Sequence, residues 1–173
     1  MWKAKLKDGK EVMLRFLRAD DGNELFRMFS SMSDEALEWS GAPYTLDIIQ
    51  KWISNIQNLI TVVAECHNGI VGYAVVYKSP YPRRKGIGDF AIYLHHDFHN
   101  VGLGTAMTKR ILQLARKEKM HRIELGVVAE NKIALHLYEN FGFQIEGVSK
   151  DAFYGHDGKY HDIVQMGLIL RQR

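Results

Sequence analysis

The first regular pattern along the chain has a period of two. Val12, Leu14 and Phe16 interleave with Met13, Arg15 and Leu17 and predict a strand near 11–18. The period then becomes helical. Leu25, Met28, Phe29 and Met32 follow Asp21 and Glu24, which have capping-box spacing, and predict a helix over 22–32. Thr45 reads as an N-cap for a second helix over 46–57, with Ile48, Ile49, Trp52, Ile53 and Ile56 on one stripe. Asn68-Gly69 separates two β-rich runs, 60–67 and 70–78, and predicts a tight hairpin. A strand is expected at 88–94. A helix follows from about Gly102, its stripe being Leu103, Met107, Ile111, Leu114 and Ala115. Ile123, Leu125 and Val127 make the next strand. Asn131 caps a helix that carries Ala134, Leu137, Tyr138 and Phe141 and stops at Gly142. Two last strands are expected at 143–152 and 159–170, joined at Gly155-His156-Asp157-Gly158. The order is strand, two helices, three strands, helix, strand, helix, two strands. It implies an α/β fold on a mixed, mostly antiparallel sheet of about seven strands with about four flanking helices.

Nothing divides this pattern. The prolines are Pro43, Pro80 and Pro82, and no repeat, low-complexity tract or composition shift marks a linker, so 1–173 reads as a single domain. Hydrophobic residues make up 46% and charged residues 25%, which argues against disorder. Lys and Arg number 23 against 20 Asp and Glu, a surplus of +3 that is too weak to suggest a nucleic-acid backbone as partner. Cys66 is the only cysteine, so an intramolecular disulfide and a multi-cysteine metal site are excluded. It reads as a buried structural thiol. No apolar run is long enough for a membrane span, and Met1 to Asp8 lacks the apolar centre of a signal peptide. A reduced, soluble, cytoplasmic protein is the default expectation.

The chemistry concentrates in Asp97-Phe98-His99-Asn100-Val101-Gly102-Leu103-Gly104-Thr105. Here a strand runs into a glycine turn that opens a helix. The first N–H groups of a helix have no internal partner and carry the positive end of its dipole, and glycine lets an anion approach the backbone. A phosphate or pyrophosphate is the natural occupant. The dinucleotide fingerprint is incomplete, since Met107 stands where a third glycine is required. The triphosphate loop is absent altogether. A plain strand-to-helix turn is the alternative reading of these two glycines.

The wider context resembles the GNAT superfamily of N-acetyltransferases, the phosphinothricin, ribosomal-protein and polyamine enzymes among them. His99-Asn100-Val101-Gly102-Leu103-Gly104 matches the spacing of the family's [RQ]-x-x-G-x-[GA] turn. Asn131 through Phe143 is similar to its second signature, N-x-x-A-x-x-[LF]-Y-x-x-x-G-F. His99 replaces the family's Arg or Gln, and Asn100 a frequent glycine; both still offer backbone N–H groups. The resemblance implies acetyl transfer from acetyl-CoA, without a metal, directly to an amine. Its coenzyme site is expected to use Ile92, Tyr93 and Leu94 of the preceding strand, His99, Asn100, Val101, Gly102, Leu103, Gly104 and Thr105 of the turn, and Asn131 and Tyr138. Tyr138 matches the tyrosine near the thioester sulfur. A phenol of pKa about 10 is protonated at neutral pH and can donate to the leaving thiolate.

For the base, some relatives carry a glutamate where this chain has Gly126. Asp89 sits where phosphinothricin-type members have an acid; it reads as the base or, equally, as an exposed strand-start aspartate. Glu124 is the weaker candidate. Arg83, Arg84 and Lys85 read as a solvated charge run, or else as cations for the coenzyme's remote phosphate, for which Lys109 and Arg110 are alternative partners. His95, His96 and His99 cluster without an acidic or cysteine partner at metal-ligand spacing and read as a polar loop. The acceptor site is expected from the N-terminal helices, with Trp39, Tyr44 and Tyr81, the acids Asp34, Glu35 and Glu38, and a hairpin from Asp151 to Asp162 folding over it. A small primary amine such as an amino acid or polyamine is the expected acceptor. A protein α-amine or lysine is the competing substrate, and a non-catalytic acyl-CoA sensor the competing class. No nucleic acid or membrane partner is expected. By resemblance, a homodimer through the C-terminal strands is possible.

Overall fold

The computed structural model describes residues 1–67 and 69–170. Along the chain lie β1 (Trp2–Lys5), β2 (Glu11–Arg15), α1 (Gly22–Ser31), α2 (Asp34–Leu37), α3 (Leu46–Ser54), β3 (Leu59–Cys66), β4 (Gly69–Lys78) and β5 (Ile87–Leu94). After them come α4 (Leu103–Lys117), β6 (Arg122–Val128), α5 (Lys132–Asn140), β7 (Gln144–Tyr154) and β8 (Tyr160–Ile169). The strands form one eight-stranded sheet in the order β1-β2-β3-β4-β5-β6-β8-β7. Every neighbouring pair is antiparallel except β5 and β6. Among the described residues, no helix is long and apolar enough to cross a membrane.

Helices cover both faces. On one face Leu103, Met107, Ile111, Leu112 and Ala115 of α4 pack with Val62, Ala64, Ala74 and Val76. On the other, Leu25, Met28 and Phe29 of α1 and Ile49 and Ile53 of α3 pack with Val63, Tyr73 and Val75. Successive strand residues therefore enter different cores. This is why Leu59 to Ala64 of β3 and Ile70 to Val76 of β4 are buried without a break instead of alternating.

Two elements exceed the expected seven strands and four helices. β1 is the added strand, in which Trp2 and Ala4 lean on the α4-side core while Lys3 and Lys5 face away. α2 is the added helix, a single turn capped by Ser33, whose hydroxyl accepts from Ala36 N at 3.2 Å. α3 stops at Ser54, and a 3-10 turn, Ile56–Asn58, completes the expected span. The hairpin closes with Cys66 opposite Gly69; Asn68 lies outside the described residues. Cys66 is a free, half-buried thiol at that strand end, not a core residue.

Asp21 does not cap α1 with its side chain. Its carboxylate accepts two hydrogen bonds from the Arg15 guanidinium, at 2.7 and 2.9 Å, and one from Arg18 N at 2.7 Å. Arg15 also donates to Glu65 at 2.7 Å. Arg15 and Asp21 are 3% and 6% exposed, so this fork is a buried ion pair. It ends β2 at Arg15, short of the expected 18.

Candidate active site

β5 and β6 are paired only where Ile87, Gly88 and Asp89 face Arg122, Ile123 and Glu124. Beyond that point β5 stays with β4 as far as Leu94, and β6 stays with β8 as far as Val128. The facing edges of the two strands are therefore free of each other from Phe90 and Leu125 onward. This leaves an open seam in the middle of the sheet, with unpaired backbone groups along its sides.

The glycine turn stands at the mouth of the seam. Asn100 has φ 60° and Gly102 φ 89°, so both occupy the left-handed region. Asparagine is among the few side chains that visit this region readily, and this explains how it replaces glycine at position 100. α4 starts at Leu103, and Gly102 gives it no side-chain cap, so its first N–H groups point outward. The donor set suits a pyrophosphate, and Gly104 lets α4 pack close to Leu94 and Leu137, which lie 3.3 and 3.5 Å from where its Cβ would stand. His99 turns back, its Nε2 lying 3.0 Å from the carbonyl of Leu94. It anchors the turn to the end of β5.

Lys7 was not legible in the sequence. Its backbone N–H donates to Val101 O at 2.9 Å, which fastens the β1–β2 turn to the glycine turn. Its side chain lies over Gly102, with Cγ 3.7 Å and Cε 3.8 Å from where a Cβ would stand. An ammonium is thereby carried to the head of α4. Arg110, expected as a cation for the remote phosphate, instead stacks on Trp2 at 4.3 Å. Arg83, Arg84 and Lys85 stand before β5, at the end opposite the glycine turn, and Arg84 is paired with Glu124.

Ile92 and Leu94 turn their side chains toward α4, whereas Tyr93 stacks with Trp52 and Tyr73 on the other face. Asn131 caps α5, its Oδ1 accepting from Ala134 N at 3.2 Å. Tyr138 is 7% exposed and packs edge-on against Phe90, with ring centroids 5.9 Å apart, and against Phe143 at 5.7 Å. Burial pushes its phenol well above the ordinary value of 10, so it stays protonated.

Asp89 lies on the opposite face, directly across from Glu124 in the parallel ladder. Asp89 is exposed on that face, as the strand-start reading expected. What desolvation it does undergo raises its carboxyl pKa, and the Glu124 charge adds to this, against a smaller opposing effect of Arg84. For Glu124 itself partial burial acts upward, but hydrogen bonds from Arg122 and Arg84 outweigh it and hold the carboxyl low. Gly126, where some relatives carry a glutamate, is closed in by β8 side chains and has no room for one. A Cβ there would meet Ile163 at 2.9 Å, and Gln165 Oε1 lies 3.5 Å away. Gln165 donates to Ser149 Oγ at 3.1 Å.

The expected acceptor wall is only partly assembled. Trp39 meets His161 at 5.1 Å and Phe153 at 6.2 Å, so the segment after α2 does touch the β7–β8 hairpin. Tyr44 packs among Phe29, Trp52 and Tyr93. Tyr81 is 66% exposed on the loop before β5 and does not join them. Asp34, Glu35 and Glu38 are exposed. The histidine cluster has an acidic partner that spacing did not reveal: ligand atoms of His95, His96 and Asp97 lie within 4.8 Å of one another. Two of the imidazole nitrogens are bonded to backbone, with His96 Nδ1 accepting from Ser33 N at 3.2 Å and His95 Nδ1 from Asp97 N at 3.3 Å.

Against this geometry, the model of the acetyltransferase (GNAT) family matches residues 24–143. The chain belongs to the GNAT family. This GNAT protein is an acetyl-CoA-dependent N-acetyltransferase. It is 24% identical over 161 residues to the L-amino acid N-acetyltransferase AaaT of Escherichia coli K12, covering 92% of this chain and 98% of that protein. It is 28% identical over 109 residues to spermidine N(1)-acetyltransferase of Vibrio cholerae, 62% of this chain and 61% of that enzyme. Its fold is shared with yncA from Salmonella typhimurium, solved with its cofactor acetyl-CoA, at a TM-score of 0.82 and 19% identity over 95% of this chain and 96% of that one.

Proposed function

We propose that the GNAT protein transfers the acetyl group directly to the primary amine of a small molecule, an amino acid or a polyamine, within a ternary complex. One observation carries this reading. The open seam between β5 and β6 has Asp89 on one face of the sheet, while buried Tyr138 packs against Phe90 on the other. The backbone of Asn100 to Thr105, with Lys7, holds the pyrophosphate. The free edge of β5 from Ile92 to Leu94 pairs with the amides of the pantetheine arm, and Asn131 adds a contact at the start of α5.

The thioester supplies an activated acetyl group. An acceptor ammonium titrates near pH 10 and must lose a proton before it attacks. Asp89 removes that proton, directly or through a water, and its raised pKa makes it a better base than an ordinary aspartate. The amine nitrogen then bonds to the acetyl carbon as the carbon–sulfur bond breaks. Tyr138 gives its phenolic proton to the departing sulfur, and the second proton that the nitrogen sheds on becoming an amide returns the phenolate to its neutral form through solvent. Cys66 sits at the β3–β4 turn and takes no part, consistent with direct transfer.

The test is thiol release from acetyl-CoA across a panel of amino acids, polyamines and peptides with free N-termini. Release with free amino acids or polyamines is the expected result. Release with peptides alone would move the acceptor to proteins. Tight coenzyme binding without release for every amine would make the protein a sensor.

A further inference from the structure

The face of the sheet that carries Asp89 also carries a row of paired charges. Glu124 is held on both oxygens, one by Arg84 Nη2 and the other by Arg122 Nε at 3.1 Å. Arg122 is fully used. Besides Glu124 it grips Glu146 of β7 with both terminal nitrogens, and its side chain is 19% exposed. Arg84 differs. Its side chain is 44% exposed, and among the described residues only Nη2 is engaged, which leaves Nε and Nη1 with open donors. Glu124 would keep its partner Arg122 if Arg84 turned away. Arg84 is therefore the cation on this face that is available for exchange, and it stands beside the acid we assign as base.

We propose that Arg84 binds the carboxylate of an α-amino acid acceptor whose amine is presented to Asp89. This rests on the reading of Asp89 as the proton acceptor. An α-amino acid carries its ammonium and carboxylate one carbon apart, so its site needs an acid and a cation side by side. Asp89 and Arg84 supply that pair through their shared neighbour Glu124. A guanidinium also offers the planar fork that matches a carboxylate. A polyamine needs further free acids, yet Glu124 and Glu146 are already neutralised here and Arg84 repels a second ammonium. The residue thus selects amino acids over polyamines.

The experiment compares each of L-leucine, L-methionine and L-phenylalanine with its own amide, which keeps the amine and side chain but drops the negative charge. The reading is the acid-to-amide ratio of kcat/KM in the wild type, in Arg84→Gln and in Arg84→Lys. Losing a charge-assisted hydrogen-bond pair lowers that ratio roughly 10- to 100-fold in Arg84→Gln. Arg84→Lys, which keeps the charge without the fork, recovers part of it. A ratio within about twofold of wild type in Arg84→Gln overturns the assignment while leaving amino-acid acetylation intact. A wild type that acetylates neither acids nor amides overturns the amino-acid acceptor and the Arg84 assignment together.

Discussion

Replacing Tyr138 by Phe removes one oxygen and leaves the ring. The packing against Phe90 and Phe143 is retained, and no hydrogen bond from the hydroxyl to another described residue is lost. Stability should change by no more than about 1 kcal/mol, or about 3 °C in Tm for a chain of this size. The rate cost follows from the environment. General acids contribute roughly 10²- to 10⁴-fold, and most when their pKa is near the working pH. Burial moves this phenol away from neutrality, further above a thiol near 8.5 than an ordinary tyrosine is, so its contribution belongs at the low end. A loss of about 100-fold in kcat is expected, or about 2.7 kcal/mol of transition-state stabilisation. The KM for acetyl-CoA should stay within about twofold, since the phenol acts on the leaving sulfur and not on the bound ground state. The assay is steady-state thiol release with saturating amine, paired with a thermal melt. A variant that melts normally and keeps kcat within about twofold refutes the acid role.

Three further outcomes test other parts of the reasoning. Asp89→Asn should lower kcat/KM roughly 100-fold. In the parent enzyme the rate should fall as pH drops through the raised Asp89 pKa, because only the ionised carboxylate accepts a proton; that limb should vanish in Asp89→Asn and move to lower pH in Glu124→Gln, as a pH–rate series will show. Lys7→Gln should raise the KM for acetyl-CoA roughly 3- to 10-fold, with a weaker dependence on ionic strength than the parent, measured by coenzyme titration. Asp21→Ala leaves buried Arg15 with Glu65 as its one remaining carboxylate partner, beside the Phe16 carbonyl, and should cost about 3–5 kcal/mol, or roughly 10 °C in Tm. Arg15 holds the Asp21 carboxyl low against the upward push of burial, so the pair's contribution is full above the ordinary carboxylate pKa and fades as pH falls through the lowered one. Melts between neutral and acid pH should show the parent losing that increment and the variant lacking it.

Local signals were legible because one stretch of chain carries each of them. The stripes of α4 and α5, the double-sided apolar runs of β3 and β4 and both motifs can be read from contiguous residues. Long-range partners defeat such reading. Asp21 has the spacing of a helix cap, yet its carboxylate is committed to Arg15, which also reaches Glu65 on β3. Lys7 gains meaning only when the β1–β2 turn folds against Val101 and Gly102.

The seam is the deepest case. Nothing in the composition of β5 or β6 says that their ladder ends at Asp89 and Glu124. The end follows from their other partners: β4 holds β5 to Leu94 while β8 holds β6 to Val128. A parallel pair at the centre of a sheet normally buries its backbone groups. Here two antiparallel neighbours keep the strands apart and leave backbone groups unpaired along the seam, the edge proposed to take the pantetheine amides. The same stop places Asp89 and Glu124 side by side at the last rung. Desolvation and like charge raise one carboxyl there, while arginines hold the other low. Two acids at one rung thereby acquire different chemistry, and only the unpaired one can carry a proton away.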